Sequence, residues 1–215
     1  MSTTSVVFDL SLGLTKQFVE FGKNILGILQ KPYQTFRSIS LRKSYEQLIF
    51  IAFLIFLYLS LSTLAKESLK ANPLFLTKDL VKVGLVISFT YLLVTQLIFR
   101  FGKLFGGEGK IYNFMLLWAF SLVPTLAWFL ITTIFYVLLP PPRTPSLKGM
   151  AFSFLFMVFS LACFLWKGIL YYLALRIGLH LSATKIAFIS VLVLPLLFLY
   201  AFMLYKMKIF GVPFI

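Results

Sequence analysis

Residues 184–205 read TKIAFISVLVLPLLFLYAFMLY, a run in which Lys185 is the one charged residue. A helix of roughly 20 apolar residues crosses the hydrocarbon core of a bilayer, which is about 30 Å thick. The run lacks the alternating polar positions of a strand in a membrane barrel. A helix also pairs its backbone groups within the segment, as lipid requires. We therefore predict a transmembrane helix here.

Four more apolar runs of similar length precede this one. They lie at 47–65, 80–101, 111–139 and 149–175. Across all 215 residues, 60% are hydrophobic and 12% are charged, whereas a soluble domain carries about 25% charged residues. The sequence thus predicts an all-α fold, a polytopic membrane bundle of five transmembrane helices. Residues 47–215 are expected to form this transmembrane domain.

Prolines interrupt two of the runs and fill one connection. The run at 111–139 is too long for an upright span and contains Pro124, so we predict a kink or a strong tilt there. Pro195 predicts the same in the last run. Residues 140–145, which read PPPRTP, are expected to form a rigid, extended loop.

Residues 1–46 are predicted to form an amphipathic helix followed by a basic cytosolic segment. Apolar residues recur every three or four positions, as on one face of a helix: Val7, Leu10, Leu14, Phe18, Phe21, Ile25 and Ile28. Such a helix would lie in the membrane interface just before the first span. The alternatives are that its apolar face packs on the ends of the bundle or on a second copy.

The orientation follows from the basic residues in the short loops. With a cytosolic N-terminus, eleven face the cytosol: Lys16, Lys23, Lys31, Arg37, Arg42, Lys43, Arg100, Lys103, Lys110, Arg176 and Lys185. Eight face the other side: Lys66, Lys70, Lys78, Lys82, Arg143, Lys148, Lys206 and Lys208. The difference favours a cytosolic N-terminus and a C-terminus outside. The net charge of +14 fits anionic headgroups rather than nucleic acid.

Residues for chemistry are scarce. None of the six acidic residues falls within a predicted span, and the last of them is Glu108. The one histidine, His180, is expected in a loop. The sequence therefore does not offer the residues needed for paired-carboxylate catalysis, a Ser-His-Asp triad or a zinc hydrolase site. A single cysteine, Cys163, excludes a disulfide framework. We predict no enzymatic activity, no cofactor and no metal site.

Glycines cluster in residues 102–110, GKLFGGEGK, directly before the third run. A phosphate-binding loop that ended in Gly109-Lys110 would need glycine at position 104 and a hydroxyl at 111. Leu104 and Ile111 occupy these positions, so the match fails. We predict a flexible turn, although backbone amides at the head of a helix could still meet a lipid phosphate or a partner's carboxylate.

Lys167 is the one charge inside the apolar runs apart from those near their ends. A charge at the membrane centre costs about 2.5 to 3.5 kcal/mol on insertion scales. In one interpretation the lysine snorkels to the headgroups and Trp166 marks the aromatic belt. In the other it lies in a polar site with Tyr171, or near the hydroxyls of Thr132 and Thr133.

Three stretches resemble the Yip domain family, five-span membrane proteins linked to Rab-type GTPases and vesicle traffic. Residues 31–39, KPYQTFRSI, resemble the segment before its first span. Residues 106–124 are similar to its glycine-rich loop and to a third helix ending in Leu-x-Pro. Trp166 and residues 181–187, LSATKIA, resemble its later tryptophan and last helix. The motif positions are Pro32, Phe36, Arg37, Gly106, Gly107, Gly109, Pro124, Trp166 and Lys185.

The resemblance implies a cytosolic N-terminus and a role without catalysis. The chain lacks the long acidic N-terminal tail of eukaryotic members and so resembles compact prokaryotic ones, which implies a plasma (inner) membrane location. We expect a scaffold or organiser that binds a protein partner or shapes the bilayer. Its expected partners are membrane lipids and another protein or a second copy, not nucleic acid. The alternative is a component for transport of a small solute or of lipid.

Overall fold

The structure, a computed structural model, describes residues 3–42, 44, 46–66, 73–138 and 147–207. Side chains are described for 15–42, 44, 46–60, 81–135, 138 and 149–207. Within these ranges the chain forms eight helices: α1 Thr3–Gln30, α2 Pro32–Arg42, α3 Gln47–Lys66, α4 Pro73–Leu104, α5 Ile111–Phe120, α6 Val123–Leu138, α7 Leu147–Gly178 and α8 Ala183–Lys206.

Four of the five predicted runs coincide with helical segments long enough to cross a membrane. Four segments of the described chain have the required length and hydropathy: Val81–Leu104, Ile111–Phe135, Gly149–Gly178 and Ala183–Lys206. In α3 the stretch Gln47–Ser60 is apolar but shorter. The chain is thus an all-helical, polytopic membrane protein with four or five spans, which confirms the predicted class and leaves the count of five open.

The third run breaks near Pro124, as predicted. Because proline has no N–H and its ring clashes with the carbonyl four residues earlier, a helix cannot continue through it unchanged. The α5 helix ends at Phe120, and the Ser121 hydroxyl donates to the Trp118 carbonyl at 2.6 Å. The α6 helix restarts at Val123. Pro195 does not interrupt α8, which is helical on both sides of it.

Two predictions concern the connections between helices, and their outcomes differ. Residues 140–145 lie outside the described residues, so the extended loop stays a prediction. His180 lies in the connection between α7 and α8, as predicted, and adopts a positive φ of 56°.

The helices contribute to two compact units. Unit 1 comprises Met1–Tyr58 and Leu116–Leu173, and unit 2 comprises Leu59–Met115 and Ala174–Ile215. Unit 1 is built around buried aromatic and aliphatic side chains such as Phe36, Phe120 and Leu170. In unit 2, the Thr90 and Tyr200 hydroxyls lie 2.8 Å apart and join α4 to α8. The predicted division into 1–46 and 47–215 stays a prediction.

Candidate functional surfaces

The segment before α3 forms α2, which begins at Pro32. Proline suits the first turn because its missing N–H would have no helical partner there. Phe36 is fully buried and Ile39 nearly so, whereas Arg37 is exposed. Of the three motif positions here, Pro32 starts the helix, Phe36 anchors it in unit 1, and Arg37 points outward.

Polar contacts fasten α1 to the elements that follow it. The Asn24 Nδ2 donates to Gln47 Oε1 at 2.8 Å, and both side chains are buried. The Arg42 guanidinium donates to the Glu20 carboxylate at 2.7 Å in a largely exposed ion pair. A buried hydrogen bond of this kind is costly to break, because the remaining partner loses its bond and stays away from water. The amide pair therefore fixes the register of α1 on α3.

Aromatic contacts complete the attachment of α1. The ring of Phe21 stacks on Phe50 of α3 at 5.4 Å between centroids. It also approaches Phe120 at the end of α5, at 5.8 Å. Phe21 is 4% exposed and Ile28 is fully buried. For this half of the helix, packing on the bundle, one of the two alternatives to interfacial placement, is therefore observed.

The buried amide pair yields a direct test. Gln47→Ala is expected to lower the free energy of unfolding by about 1–3 kcal/mol, because Asn24 would stay buried without its acceptor. The temperature at which the thiol of Cys163, also buried in unit 1, becomes reactive in detergent would measure the loss. Gln34→Ala on the exposed side of α2 is the matched control and is expected to change little. Equal effects of the two changes would show that the pair does not stabilise the protein.

A second apolar face of α1 is exposed, although its Phe18 ring also meets Phe50 of α3 edge-on at 5.8 Å between centroids. Phe18, Val19, Leu26 and Leu29 share this outer apolar face, and each is at least half exposed. Their spacings of seven, eight and eleven residues place them on one side of a helix. The polar residues occupy a third side, seven residues apart: Lys16, Lys23 and Gln30, all exposed. The helix thus has a buried side, an exposed apolar side and an exposed basic side.

The glycine-rich loop of unit 2 packs against the connection between α7 and α8. The Glu108 amide donates to the Leu179 carbonyl at 3.1 Å. A side chain at Gly109 would collide with the Gly178 carbonyl, and one at Gly107 would come within 2.8 Å of the Gly102 carbonyl. The two backbones therefore meet at a distance that only glycine permits. We call this contact the glycine clasp.

In the glycine clasp, backbone amides that were suggested to bind a ligand donate to carbonyls of the chain instead. The Gly106 amide donates to Lys103 O at 3.0 Å and the Gly107 amide to Gly102 O at 2.8 Å. With the Glu108 amide bound to Leu179, three consecutive amides are occupied within the chain. The suggestion that they meet a lipid phosphate or a carboxylate is therefore wrong for these three groups.

Motif positions far apart in the chain meet at the glycine clasp. The Lys185 ammonium lies 3.3 Å from the position that a side chain at Gly106 would occupy, and Gly106 itself has a φ of +79°. The helix ends here carry exposed basic residues: Arg100, Lys103, Lys110, Arg176 and Lys185. This end of unit 2 is therefore positively charged, with Glu108 as its acidic residue.

The predicted polar site is not assembled within one chain. The Lys167 side chain is exposed on α7 and forms no hydrogen bond or ion pair with any residue that the structure describes. Tyr171 instead packs its ring edge-on against Trp118 at 5.2 Å. The hydroxyl of Thr132 donates to the Phe129 carbonyl of its own helix. A cavity around Lys167, and the transport role built on it, gain no support from these contacts and stay predictions.

The structure also shows the burial and the contacts of residues in α6 and α7, which hydropathy alone did not reveal. Pro124 is buried at the start of α6, and Trp166 is half-buried on α7. Trp128 of α6 donates its indole N–H to the Ser160 hydroxyl at 2.8 Å, joining α6 to α7. Neither Asn24 nor Gln47 was predicted from the sequence to be a functional residue. The burial of Asn24 could have been predicted from its spacing. It lies three residues after Phe21 and four before Ile28, on the buried side of α1.

A sequence model of the Yip1 domain matches residues 26–205, which is most of the chain. The chain belongs to the Yip1 domain family. Yip1 domain proteins are non-enzymatic membrane proteins, and this chain is one of them. Comparisons with curated proteins and with solved structures found no match.

The region matched by the Yip1 domain includes most of the residues described above. All nine motif positions lie between residues 26 and 205, including those of α2 and of the glycine clasp. The matched region begins within α1, so it includes Leu26 and Leu29 of the outer apolar face. Phe18 and Val19 lie before it. The outer apolar face therefore extends beyond the Yip1 domain into this chain's own N-terminal residues.

Proposed function

We propose that this Yip1 domain protein organises the membrane, with α1 lying in the cytosolic interface as a shallow wedge beside the spans. The single observation that carries the proposal is the three-sided arrangement of α1. One side is fixed to unit 1, a second exposes Val19, Leu26 and Leu29, and a third carries Lys16 and Lys23. Apolar and lysine-bearing faces of this kind suit the boundary between acyl chains and anionic headgroups.

The position of α1 relative to the first span supports this placement. Asn24 bonds Gln47, the first residue of α3, and Phe21 packs on Phe50 one turn further along. The helix is therefore held at the end of an apolar segment, where a membrane surface would lie. An exposed apolar face at that level can enter the headgroup region without any rearrangement of the bundle.

Orientation and location belong to the same proposal. The excess of basic residues on the N-terminal side of the membrane favours a cytosolic N-terminus. By the same count of basic residues in the loops, Lys103, Lys110 and Lys185 would lie on the cytosolic side of the membrane. We further propose the plasma membrane of a prokaryotic cell as the location, with a protein partner or a second copy sharing the organised region.

Lipid-quenched fluorescence tests the placement of α1. In a Cys163→Ala background, a fluorophore would be attached to single cysteines at 26 or 29 and, as controls, at 16 or 23. In proteoliposomes with a quencher on the upper acyl chain, the labels at 26 and 29 are expected to be quenched strongly and those at 16 and 23 weakly. Equal quenching at all four positions would contradict an interfacial helix.

Sorting between vesicles of different size tests the organising role. A shallow wedge favours curved leaflets, so molecules with α1 on the outside are expected to concentrate in small vesicles over large ones. The double variant Leu26→Ser, Leu29→Ser should lose this preference, while Gln30→Ser, an exposed polar control, keeps it. If the double variant sorts like the unchanged protein, the outer apolar face does not shape the bilayer.

A further inference from the structure

The helix α8 shows how deep the membrane core reaches in unit 2. Between Lys185 and Lys206 the chain is free of charge for residues 186–205, and a helix of that length spans about 30 Å, the thickness of a hydrocarbon core. Lys185 lies beside Gly106 of the glycine clasp, which packs on Gly178 at the end of α7. The last turn of α7, with Arg176, therefore lies at the same membrane boundary as Lys185.

Lys167 lies far from this boundary. Nine residues separate it from Arg176, which corresponds to about 14 Å along a helix. A lysine stem extends about 6 Å, given C–C bonds of about 1.5 Å. The ammonium group therefore cannot reach the headgroups beside Arg176. Towards the other end of α7, 18 residues separate Lys167 from Gly149, a longer distance still.

The surroundings of Lys167 on α7 are open. Phe164, one turn earlier, is 72% exposed, and a side chain at Gly168 would meet no atom within 4 Å. Among the four described segments long enough to span, α7 also buries the smallest share of its apolar window. A charge within lipid normally faces another group that pairs with it, and here the described residues of the chain provide none.

We infer that the face of α7 formed by Phe164, Lys167 and Gly168 docks a transmembrane helix of a different protein, one that carries an aspartate or glutamate at the depth of Lys167. A carboxylate is the group that complements a buried ammonium by charge and by hydrogen bonding. A second copy of this chain cannot provide it, because the acidic residues all lie outside the apolar runs. The small Gly168 lets the backbone of the partner helix come close.

This inference is independent of the proposed role of α1. It concerns a face in the spans, whereas the interfacial placement concerns α1 and the membrane surface. The quenching and sorting experiments therefore test one, and the experiment below tests the other.

Photo-crosslinking in native membranes tests the docking face. A benzophenone amino acid at position 164 would be compared in chains with Lys167, Lys167→Arg and Lys167→Leu. Position 188 on α8, where Phe188 is also exposed, is the control site. We expect a protein adduct from position 164 with lysine or arginine at 167, and a loss of roughly tenfold or more with leucine, because only the first two offer a charged donor. Thermal unfolding of the purified Lys167→Leu chain, equal to or above that of the unchanged chain, would show that it still folds.

The identity of the adduct decides the outcome. The inference is supported if the cross-linked helix contains an aspartate or glutamate, and if the amide replacement of that residue removes the adduct as Lys167→Leu does. It is overturned by lipid adducts alone at positions 164 and 188, by an adduct with a second copy of this chain, or by a partner helix without a carboxylate. Persistence of the adduct in Lys167→Leu would overturn it as well.

Discussion

Gly109→Ala is expected to lower the free energy of unfolding by about 3 kcal/mol or more, at or beyond the upper end of the range for overpacked sites. The new methyl group would collide with the Gly178 carbonyl, which belongs to a backbone and not to a flexible side chain. To make room, the loop before α5 must move away from the end of α7. That movement would also break the hydrogen bond from the Glu108 amide to the Leu179 carbonyl.

Size-exclusion chromatography after stepwise heating in detergent would measure this loss. The temperature at which half of the monodisperse peak disappears should fall by many degrees in Gly109→Ala. Gly84→Ala is the matched control in the same unit, since a side chain there meets no atom within 4 Å. Alanine is the better helix former by up to about 1 kcal/mol, so the control should be as stable as the unchanged chain or slightly more. Similar stabilities of the two variants would show that the glycine clasp is looser than described.

Phe36→Ala is expected to cost about 3–5 kcal/mol, the range for removing a buried aromatic side chain. Phe36 is fully buried and is the largest side chain with which α2 enters unit 1. Its removal leaves a cavity that neighbouring side chains fill only in part. The attachment of α2, and with it the position of α1 beside α3, should weaken.

The thiol of Cys163 would report this effect, because it is buried within the same unit. Its reaction with a maleimide dye during heating should start at a much lower temperature in Phe36→Ala. Tyr33→Ala, one turn earlier on α2, removes a side chain that is 51% exposed and should change stability by no more than about 0.5 kcal/mol. Phe36→Leu should recover most of the loss, since it restores apolar volume. A Phe36→Ala chain as stable as the Tyr33 variant would contradict the anchoring role.

The helices were largely predictable because their cause is local. Each long apolar run satisfies its backbone within itself and needs only length and hydropathy to be recognised. The break before Val123 was predictable for the same reason, since Pro124 acts on the carbonyl four residues earlier. Pro195 lies inside α8, which continues on both sides of it, and the kink or tilt predicted there stays a prediction.

The candidate surfaces were predictable only in part. Gly106, Gly107, Gly109 and Lys185 were recognised as motif positions, but the sequence did not show that they meet. The side of α1 that packs and the side that stays exposed also could not be separated, because both are apolar. Asn24 and Gln47 lie 23 residues apart, and neither signals its partner by spacing.

The sequence by itself determined that this protein is a helical membrane protein of the Yip1 domain family, whose members are non-enzymatic. Composition, apolar length and local motifs are sufficient for that, because lipid permits few backbone structures and chemistry needs particular side chains. Only the tertiary structure decided that Gly109 must be a glycine, that α1 exposes a second apolar side, and that Lys167 points outward from α7. Each of these depends on contacts between segments distant in the chain, and hydropathy carries no information about which side of an apolar helix meets its neighbours.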